Sequence, residues 1–310
     1  MRFAPALCVV ATLTACGSKP LPQAATVTSS RDAMSLGMQA YADNRYLEAR
    51  NYFERALIQY RSVDDRNGQL DALVDLADSA LGQGEYATAR TYLANADSIL
   101  ASGTFTTIAP HVALLHAYAD LQAGEHTGAA ARLDKLLADS KLPADIRQAA
   151  LFARTQTAFD VDAADSAQWL DKLGRSLGKH ADAIGSARYQ RLQALAARKH
   201  GDLQNAAALY QDALDEYRKN YYRPGIAATL EEWADMSVTQ QDWNGADGRL
   251  HRALDIRLWM YDRTHSVKDL ENLSQVDAKL GNAAAAKQDA ELADYLKNGG
   301  SPGQLPEQKQ

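Results

Sequence analysis

The sequence holds little of the material that disulfide-rich folds, metal centres and nucleic-acid-binding surfaces require. Only two of its 310 residues are cysteine, and aromatic residues make up 7%. Both cysteines, Cys8 and Cys16, fall in the first sixteen residues, so the rest of the chain has no thiol for a disulfide or a thiolate metal site. The net charge of −6 provides no overall positive field, so we do not expect a nucleic-acid partner.

Catalytic and cofactor-binding motifs are missing as well. The chain has no HExxH, GxSxG or GxGxxG motif and no phosphate-binding Gly-Lys-Ser/Thr. His111 and His116 lie five residues apart and would point to different faces of a helix, so we interpret His116 as a packing residue rather than a ligand. The acidic run at 160–165 lacks the glycine and the final glutamate of a calcium loop. We therefore predict no catalytic residue, no metal and no cofactor, and hence no enzyme.

The first sixteen residues have the features of a targeting segment. Arg2 is followed by an apolar stretch, residues 4–15, that is too short to span a membrane. The stretch ends in Leu-Thr-Ala-Cys, which resembles the lipobox of bacterial lipoproteins. That resemblance implies a signal peptide at 1–15 and a lipid on Cys16 facing the periplasm. Gly17 in the next position favours the outer membrane by the enteric sorting rule. The alternative is an ordinary secretory signal with a chance cysteine.

Both ends of the remaining chain lack a helical pattern. Residues 16–30 contain two prolines and several serines and threonines, and we predict that they form a flexible tether of roughly 20 Å. A Gly-Pro-rich cluster follows residue 298, and we predict a disordered tail at 299–310.

Between these ends, a pattern of small and large residues returns about every forty residues. In its first occurrence Leu36 and Gly37 lie on one helical segment, and Phe53 lies between two alanines on the next. The equivalent alanines are Ala49, Ala89, Ala129, Ala206, Ala246 and Ala286. They are 40 residues apart except across a double gap, where we predict an irregular helix pair at about 144–159 and 163–173. A period of this size indicates a solenoid.

The pattern resembles the tetratricopeptide repeat, in which small residues on paired helices let them approach closely. The usual period is about 34 residues, so this chain is similar to a longer variant of about 40. Two junctions share one spacing, from Tyr60 to Gly68 and from Tyr217 to Gly225. The resemblance covers residues 31–298 and implies an all-α, right-handed superhelical solenoid of about seven helix pairs. The alternative is an unrelated alanine-rich helical bundle.

In the tetratricopeptide family, one stripe of each first helix lines a concave groove. The small residues set the position of that stripe here, and the resemblance implies a partner-binding groove. Its predicted members are Met34, Met38, Tyr41, Tyr118, Arg188, Arg191, Arg198, Glu231 and Asp235. Two alternatives remain open for the basic residues: the three arginines hold an acidic or C-terminal carboxylate group, or Arg191 simply pairs with Glu231. The methionines and tyrosines either contact a partner or are buried internally.

These expectations combine into a non-enzymatic, lipid-anchored periplasmic scaffold. It would bind a peptide segment or a protein of the cell envelope during assembly or regulation. The alternative function is a sensor of a peptide or small ligand that acts through the curvature of the solenoid. The expected contacts are a protein or peptide of the envelope and the membrane.

Overall fold

The structure is a computed structural model, and it describes residues 23–178 and 182–305, with side chains from residue 29. The predicted signal peptide and Cys16 lie outside the described residues. Within them the chain forms fourteen α-helices and no strand. The helices are α1 (Gln23–Ala42), α2 (Tyr46–Ser62), α3 (Arg66–Gly82), α4 (Tyr86–Leu100), α5 (Ala109–Gln122), α6 (His126–Leu137), α7 (Ala144–Asp160), α8 (Ser166–Leu177), α9 (Ala183–Lys199), α10 (Leu203–Lys219), α11 (Arg223–Thr239), α12 (Trp243–Trp259), α13 (Arg263–Leu280) and α14 (Ala283–Lys297).

The helices form seven consecutive pairs, and each packs mainly against its neighbours along the chain. This arrangement confirms the predicted all-α solenoid of about seven helix pairs. Short turns separate the two helices of a pair, and one turn residue usually has positive φ, as at Asn44 (60°) and Gly84 (68°). Such a residue ends a helix and lets the next one begin within two or three positions.

Small residues allow neighbouring helices to pack closely, as the repeat pattern predicted. The landmark alanines of five repeats, at 49, 89, 129, 206 and 246, are completely buried. Gly37 faces the ring of Phe53, and Gly225 faces the ring of Tyr217, so a methyl group at either glycine would collide with an aromatic side chain. Ala286 of α14 is only half-buried, because α14 is the last helix of the stack.

At both ends, residues that the sequence assigned to a tether or a tail are part of the described structure. Helix α1 begins at Gln23, so residues 23–30 are helical rather than part of a tether. This stretch contains no proline or glycine, and the Nε2 atom of Gln59 donates a 2.9 Å hydrogen bond to the Ser29 hydroxyl. At the other end, residues 299–305 are ordered. The hydroxyl of Tyr295 donates to the carbonyl oxygen of Gln304 at 3.1 Å, and Pro302 is buried. Residues 306–310 lie outside the described part.

The superhelix is tight enough for its later repeats to touch its first ones. Three hydrogen bonds join them: from Asn44 Nδ2 to the Tyr221 carbonyl at 3.3 Å, from Arg223 Nη1 to the Asp43 carbonyl at 3.2 Å, and from Thr264 Oγ1 to the Gly84 carbonyl at 2.7 Å. The paired residues are 177 to 180 positions apart. At about 40 residues per repeat, one superhelical turn therefore takes about four and a half repeats. We call these three hydrogen bonds the seam.

No helix in the described ranges is both long enough and apolar enough to cross a bilayer.

Candidate functional site

The tight superhelix converts the expected groove into a central cavity of about 510 Å³. Its polar lining includes one or two residues from each of several repeats: Tyr41, Asp78, His111, Tyr118, Arg188 and Tyr222. A second compartment of about 350 Å³ shares Tyr118, Arg188 and Tyr222 with the first. Volumes of this size are typical of sites for small ligands.

First helices of the pairs supply most of this lining. Tyr41 lies on α1, Asp78 on α3, Tyr118 on α5 and Arg188 on α9, while Tyr222 immediately precedes α11. His111 and Tyr118 are seven residues apart, so two helical turns bring them back to the same face of α5. The cavity thus collects one stripe from each of several repeats, and its residues are distant in sequence.

Arg188 is a positively charged side chain that faces this cavity without a carboxylate partner among the described residues. Its Nη2 donates to the hydroxyl of Tyr222 at 3.1 Å, and its guanidinium carbon lies 5.1 Å from the centre of the Phe152 ring. Tyrosine hydroxyls are neutral near pH 7, and the ring provides only a cation–π contact. The positive charge of Arg188 therefore remains available to an anionic group in the cavity.

Asp78 presents the opposite charge to the same cavity. One of its carboxylate oxygens, Oδ2, accepts a 2.8 Å hydrogen bond from the hydroxyl of Tyr41. Burial raises the pKa of Asp78, while that hydrogen bond and nearby His111 counteract the rise. One turn earlier on α3, burial and the charges of Asp78 and Asp71 raise the pKa of Asp75 to about 7. No lysine or arginine of the described residues forms an ion pair with Asp78 or Asp75.

The other side of the cavity carries a buried arginine whose charge is fully compensated. Arg257, only 6% exposed, donates two hydrogen bonds to the carboxylate of Glu231, at 2.7 and 3.1 Å, and one to Asp262 at 3.0 Å. Asp262 also accepts from His265 Nδ1 at 2.7 Å. Burial alone would raise the pKa of Glu231, but the charge and hydrogen bonds of Arg257 hold it below its usual range.

The structure places only part of the predicted groove set in the cavity. Tyr41, Tyr118 and Arg188 line the first compartment, and Arg191 lines the second. The three arginines do not form a common anion site. Arg191 is paired with Glu232, not with Glu231 as the alternative supposed, and also donates to Gln156 Oε1 at 3.0 Å.

The remaining members of the predicted set lie elsewhere. Arg198 donates to the carbonyl oxygen of Glu232 at 3.1 Å, and Asp235 is exposed. Neither lines the cavity, and Glu231 is occupied by Arg257. Met34 is half-buried and Met38 is 61% exposed, and both border a separate shallow depression at the N-terminal end of the solenoid. The predicted methionine surface is therefore distinct from the cavity.

The cavity lining also contains residues outside the predicted set, among them Asp78, Tyr222 and Arg257. The repeat pattern does place Asp78 on the stripe that lines the groove, because it follows the small residue Ala77. Tyr222 belongs to the junction before α11, and Arg257 to the second helix of its pair. Stripe positions on first helices give no signal for such residues, which reach the cavity because the superhelix closes around it.

Comparison with known proteins supports the repeat assignment. Residues 30–96 match the family model described as tetratricopeptide repeat. Among solved structures, the chain is similar to a Rap protein complexed with Competence and Sporulation Factor, with a TM-score of 0.68, 12% identity and coverage of 88% of this chain and 76% of that one. It also matches BtubC from P. vanneervenii at a TM-score of 0.42, with 13% identity over 92% and 96% of the two chains, a score that supports no argument. No curated protein sequence matches.

Proposed function

We propose that this chain, which is a tetratricopeptide-repeat protein, is a non-enzymatic protein that holds a peptide segment of an envelope partner in its central cavity. One observation carries the proposal: the inner surfaces of several repeats enclose a cavity that presents both tyrosine rings and charged groups. A folded domain does not fit a space of about 510 Å³, whereas an extended segment or a chain end does.

Two further facts support a bound peptide or protein as the ligand. Tetratricopeptide-repeat folds are protein-interaction scaffolds, and the similar Rap protein was solved in complex with Competence and Sporulation Factor. The cavity is also rich in tyrosine, a residue that combines apolar area with a hydrogen-bonding group and is common at binding surfaces.

A site-specific photo-crosslinker tests where the partner binds. Introduced at Tyr118, inside the cavity, it should crosslink one reproducible peptide segment in intact cells, identified by mass spectrometry after digestion. The matched control carries the crosslinker at Met38, which is exposed but outside the cavity. Capture of the same segment at Met38, with none at Tyr118, would move the binding site to the outer surface.

The proposed localisation is the periplasmic side of the outer membrane, where a lipid on Cys16 would anchor the protein. The motif that ends at Cys16 supports this proposal, together with the apolar segment before it. Cys16→Ser should leave an unprocessed precursor or release the protein from the membrane fraction, while Cys8→Ser, in the same segment, should be processed normally. Equal processing and fractionation of both variants would refute the anchor.

The seam supports a second candidate function, a sensor that changes curvature when it binds a peptide or small ligand. Among the described residues, three hydrogen bonds join the two superhelical turns there, and a ligand in the cavity would contact residues from both turns. A sensor should change its radius of gyration by X-ray scattering when saturated with ligand, whereas a scaffold should keep it. The same measurement therefore separates the two functions.

A further inference from the structure

Two half-buried side chains of opposite charge in the cavity, Arg188 and Asp78, form no ion pair with the described residues, and together they indicate which charges a ligand would carry. Arg188 has tyrosine and phenylalanine neighbours but no carboxylate in the described part of the chain. Asp78 has a tyrosine hydroxyl and a nearby histidine, but no lysine or arginine. Both side chains line the 510 Å³ compartment. Both side chains are half-buried, and removing a charge from water without a partner is unfavourable, so a counter-charge from a ligand would stabilise each of them.

We infer that the cavity takes a short peptide with both ends free, whose carboxylate pairs with Arg188 and whose ammonium group pairs with Asp78. This inference rests on the proposed function and makes it specific, because it states which peptides the cavity selects. A chain end, rather than the middle of a partner's chain, would then be the recognised feature.

The protein's own groups leave room for both contacts. Arg188 uses Nη2 for its bond to Tyr222, and a guanidinium has five N–H donors that match a carboxylate in a two-point geometry. Tyr41 donates to Oδ2 of Asp78, and Oδ1 accepts no hydrogen bond from the described residues. An ammonium group has three donors, so it can satisfy Oδ1 and still reach a tyrosine hydroxyl.

The other arginine of this compartment and its neighbouring carboxylates are already paired, and Asp145, which lines the compartment without an ion pair, lies exposed in the first turn of α7, where water solvates it. Glu231 binds Arg257, and Glu232 binds Arg191, so neither carboxylate is free for Arg188 or for the ammonium group. Arg257 itself is held by two carboxylates. This division leaves Arg188 and Asp78 as the pair that a ligand completes. Tyr118, whose hydroxyl is influenced by both charges, lies where the body of a bound peptide would pass.

The test compares tripeptides that differ only at their ends. Mixtures with randomised residues are prepared with free ends, with an acetylated N-terminus, with an amidated C-terminus and with both blocks, and binding to the full chain is measured by native mass spectrometry. We expect the free tripeptides to bind, and each single block to weaken binding at least tenfold, because each removes one charged pair. Free and doubly blocked mixtures that bind equally would overturn the inference.

Variants assign each end to its residue. In Arg188→Gln, peptides with a free and with an amidated C-terminus should bind equally, while acetylation of the N-terminus should still weaken binding. In Asp78→Asn, acetylation should have no effect, while amidation of the C-terminus should still weaken binding. Arg198→Gln and Asp235→Asn, which remove charges outside the cavity, should behave like the unmodified protein. Arg188→Lys, which keeps the charge, should retain a preference for the free acid and serves as a second variant if Arg188→Gln does not fold. Loss of both preferences in the control variants would refute the assignment.

Blocked peptides of twelve residues separate this inference from the proposed function. If they bind in the cavity while the free tripeptides do not, the protein binds peptides but does not recognise free ends, and the inference fails alone. If neither class binds, the proposed peptide-binding function fails with it.

Discussion

Two arginines on the same cavity, Arg257 and Arg188, have opposite relations to their surroundings. Arg257 makes three hydrogen bonds to two carboxylates, the half-buried Glu231 and the buried Asp262. Arg188 instead donates to a tyrosine hydroxyl and lies over an aromatic ring. Arg257 is buried and Arg188 is half-buried, so desolvation is unfavourable for both and more so for Arg257. On the proposal above, Arg257 stabilises the fold and Arg188 binds a ligand.

The carboxylates around the cavity also differ in whether a positively charged side chain is paired with them. Asp262 is 1% exposed and contacts both Arg257 and His265. Its pKa lies below its usual range, because its interactions with His265 and Arg257 outweigh its burial. Asp78 and Asp75 are partly buried without a cation, and their pKa values are raised. On one side of the cavity Arg257, Glu231 and Asp262 are therefore paired with one another, whereas Arg188 and Asp78 on the other side have no ion-pair partner among the described residues. Next to the paired group, the carboxyl group of Asp269 is buried without a hydrogen bond among the described residues, and burial together with the charge of Glu231 raises its pKa to about 9.

The largest effect should come from breaking the ion network around Arg257. Arg257→Met leaves Glu231 and Asp262 buried without their cation, and we expect it to reduce the free energy of unfolding by about 3–5 kcal/mol. Urea unfolding followed by circular dichroism measures the loss. A change below about 1 kcal/mol would show that the network is not stabilising the fold.

A triple variant is the control for this prediction. Arg257→Met combined with Glu231→Gln and Asp262→Asn removes all three charges together. Asparagine retains the capping ability of Asp262, whose side chain accepts from the backbone N–H of His265. Because no unpaired charge remains, the triple variant should be more stable than Arg257→Met alone.

A smaller effect, with a defined pH dependence, should follow from Asp75→Asn. The pKa of Asp75 is raised from 3.8 to about 7. Below pH 3.8 the carboxyl group is protonated in both the folded and the unfolded state, so replacing it with a neutral amide should change nothing. As the pH rises to about 7, the unfolded state loses the proton first and the unmodified protein loses stability, and above that pH the whole penalty is present.

We therefore expect Asp75→Asn to raise the unfolding free energy by on the order of 1–3 kcal/mol at pH 8, with no change near pH 3.5. Thermal melts at the two pH values measure this. Asp212→Asn removes the same charge from an exposed position and should show no such dependence. An increase at pH 3.5 equal to that at pH 8 would contradict the proposed cause.

The sequence predicted the repeating helix pairs but not the closure of the superhelix at the seam. Ala49 and its equivalents predict the helix pairs because close packing requires a small residue once in each repeat. The seam joins Asn44 to Tyr221, and it depends on the rotation accumulated over four and a half repeats, which no single motif encodes. One of the two sequence-based alternatives paired Arg191 with Glu231, whereas the structure pairs it with Glu232. A shift of one residue along a helix rotates the side chain by about 100°.

The seam should contribute less than the ion network. Thr264→Val removes the 2.7 Å hydrogen bond to the Gly84 carbonyl while keeping the shape of the side chain, and we expect a loss of about 0.5–1.5 kcal/mol. Thr239→Val removes a hydroxyl that bonds only within its own helix, to the Asp235 carbonyl, and is the matched control. A larger radius of gyration for Thr264→Val alone would show that this bond helps to keep the two superhelical turns together.

Arg188→Met should have the smallest effect on stability, although it removes a half-buried arginine from the same cavity as Arg257. No described carboxylate depends on Arg188, so the variant leaves no charge unpaired, and methionine can fill much of the same space against Phe152. The lost bond to Tyr222 and the relief of an uncompensated cation act in opposite directions, so we expect a change within about 1 kcal/mol in ligand-free protein. Thermal and urea unfolding, run beside Arg257→Met, measure the difference. A loss of about 3 kcal/mol or more, as for Arg257, would make Arg188 part of the folded framework and remove the contrast between the two arginines.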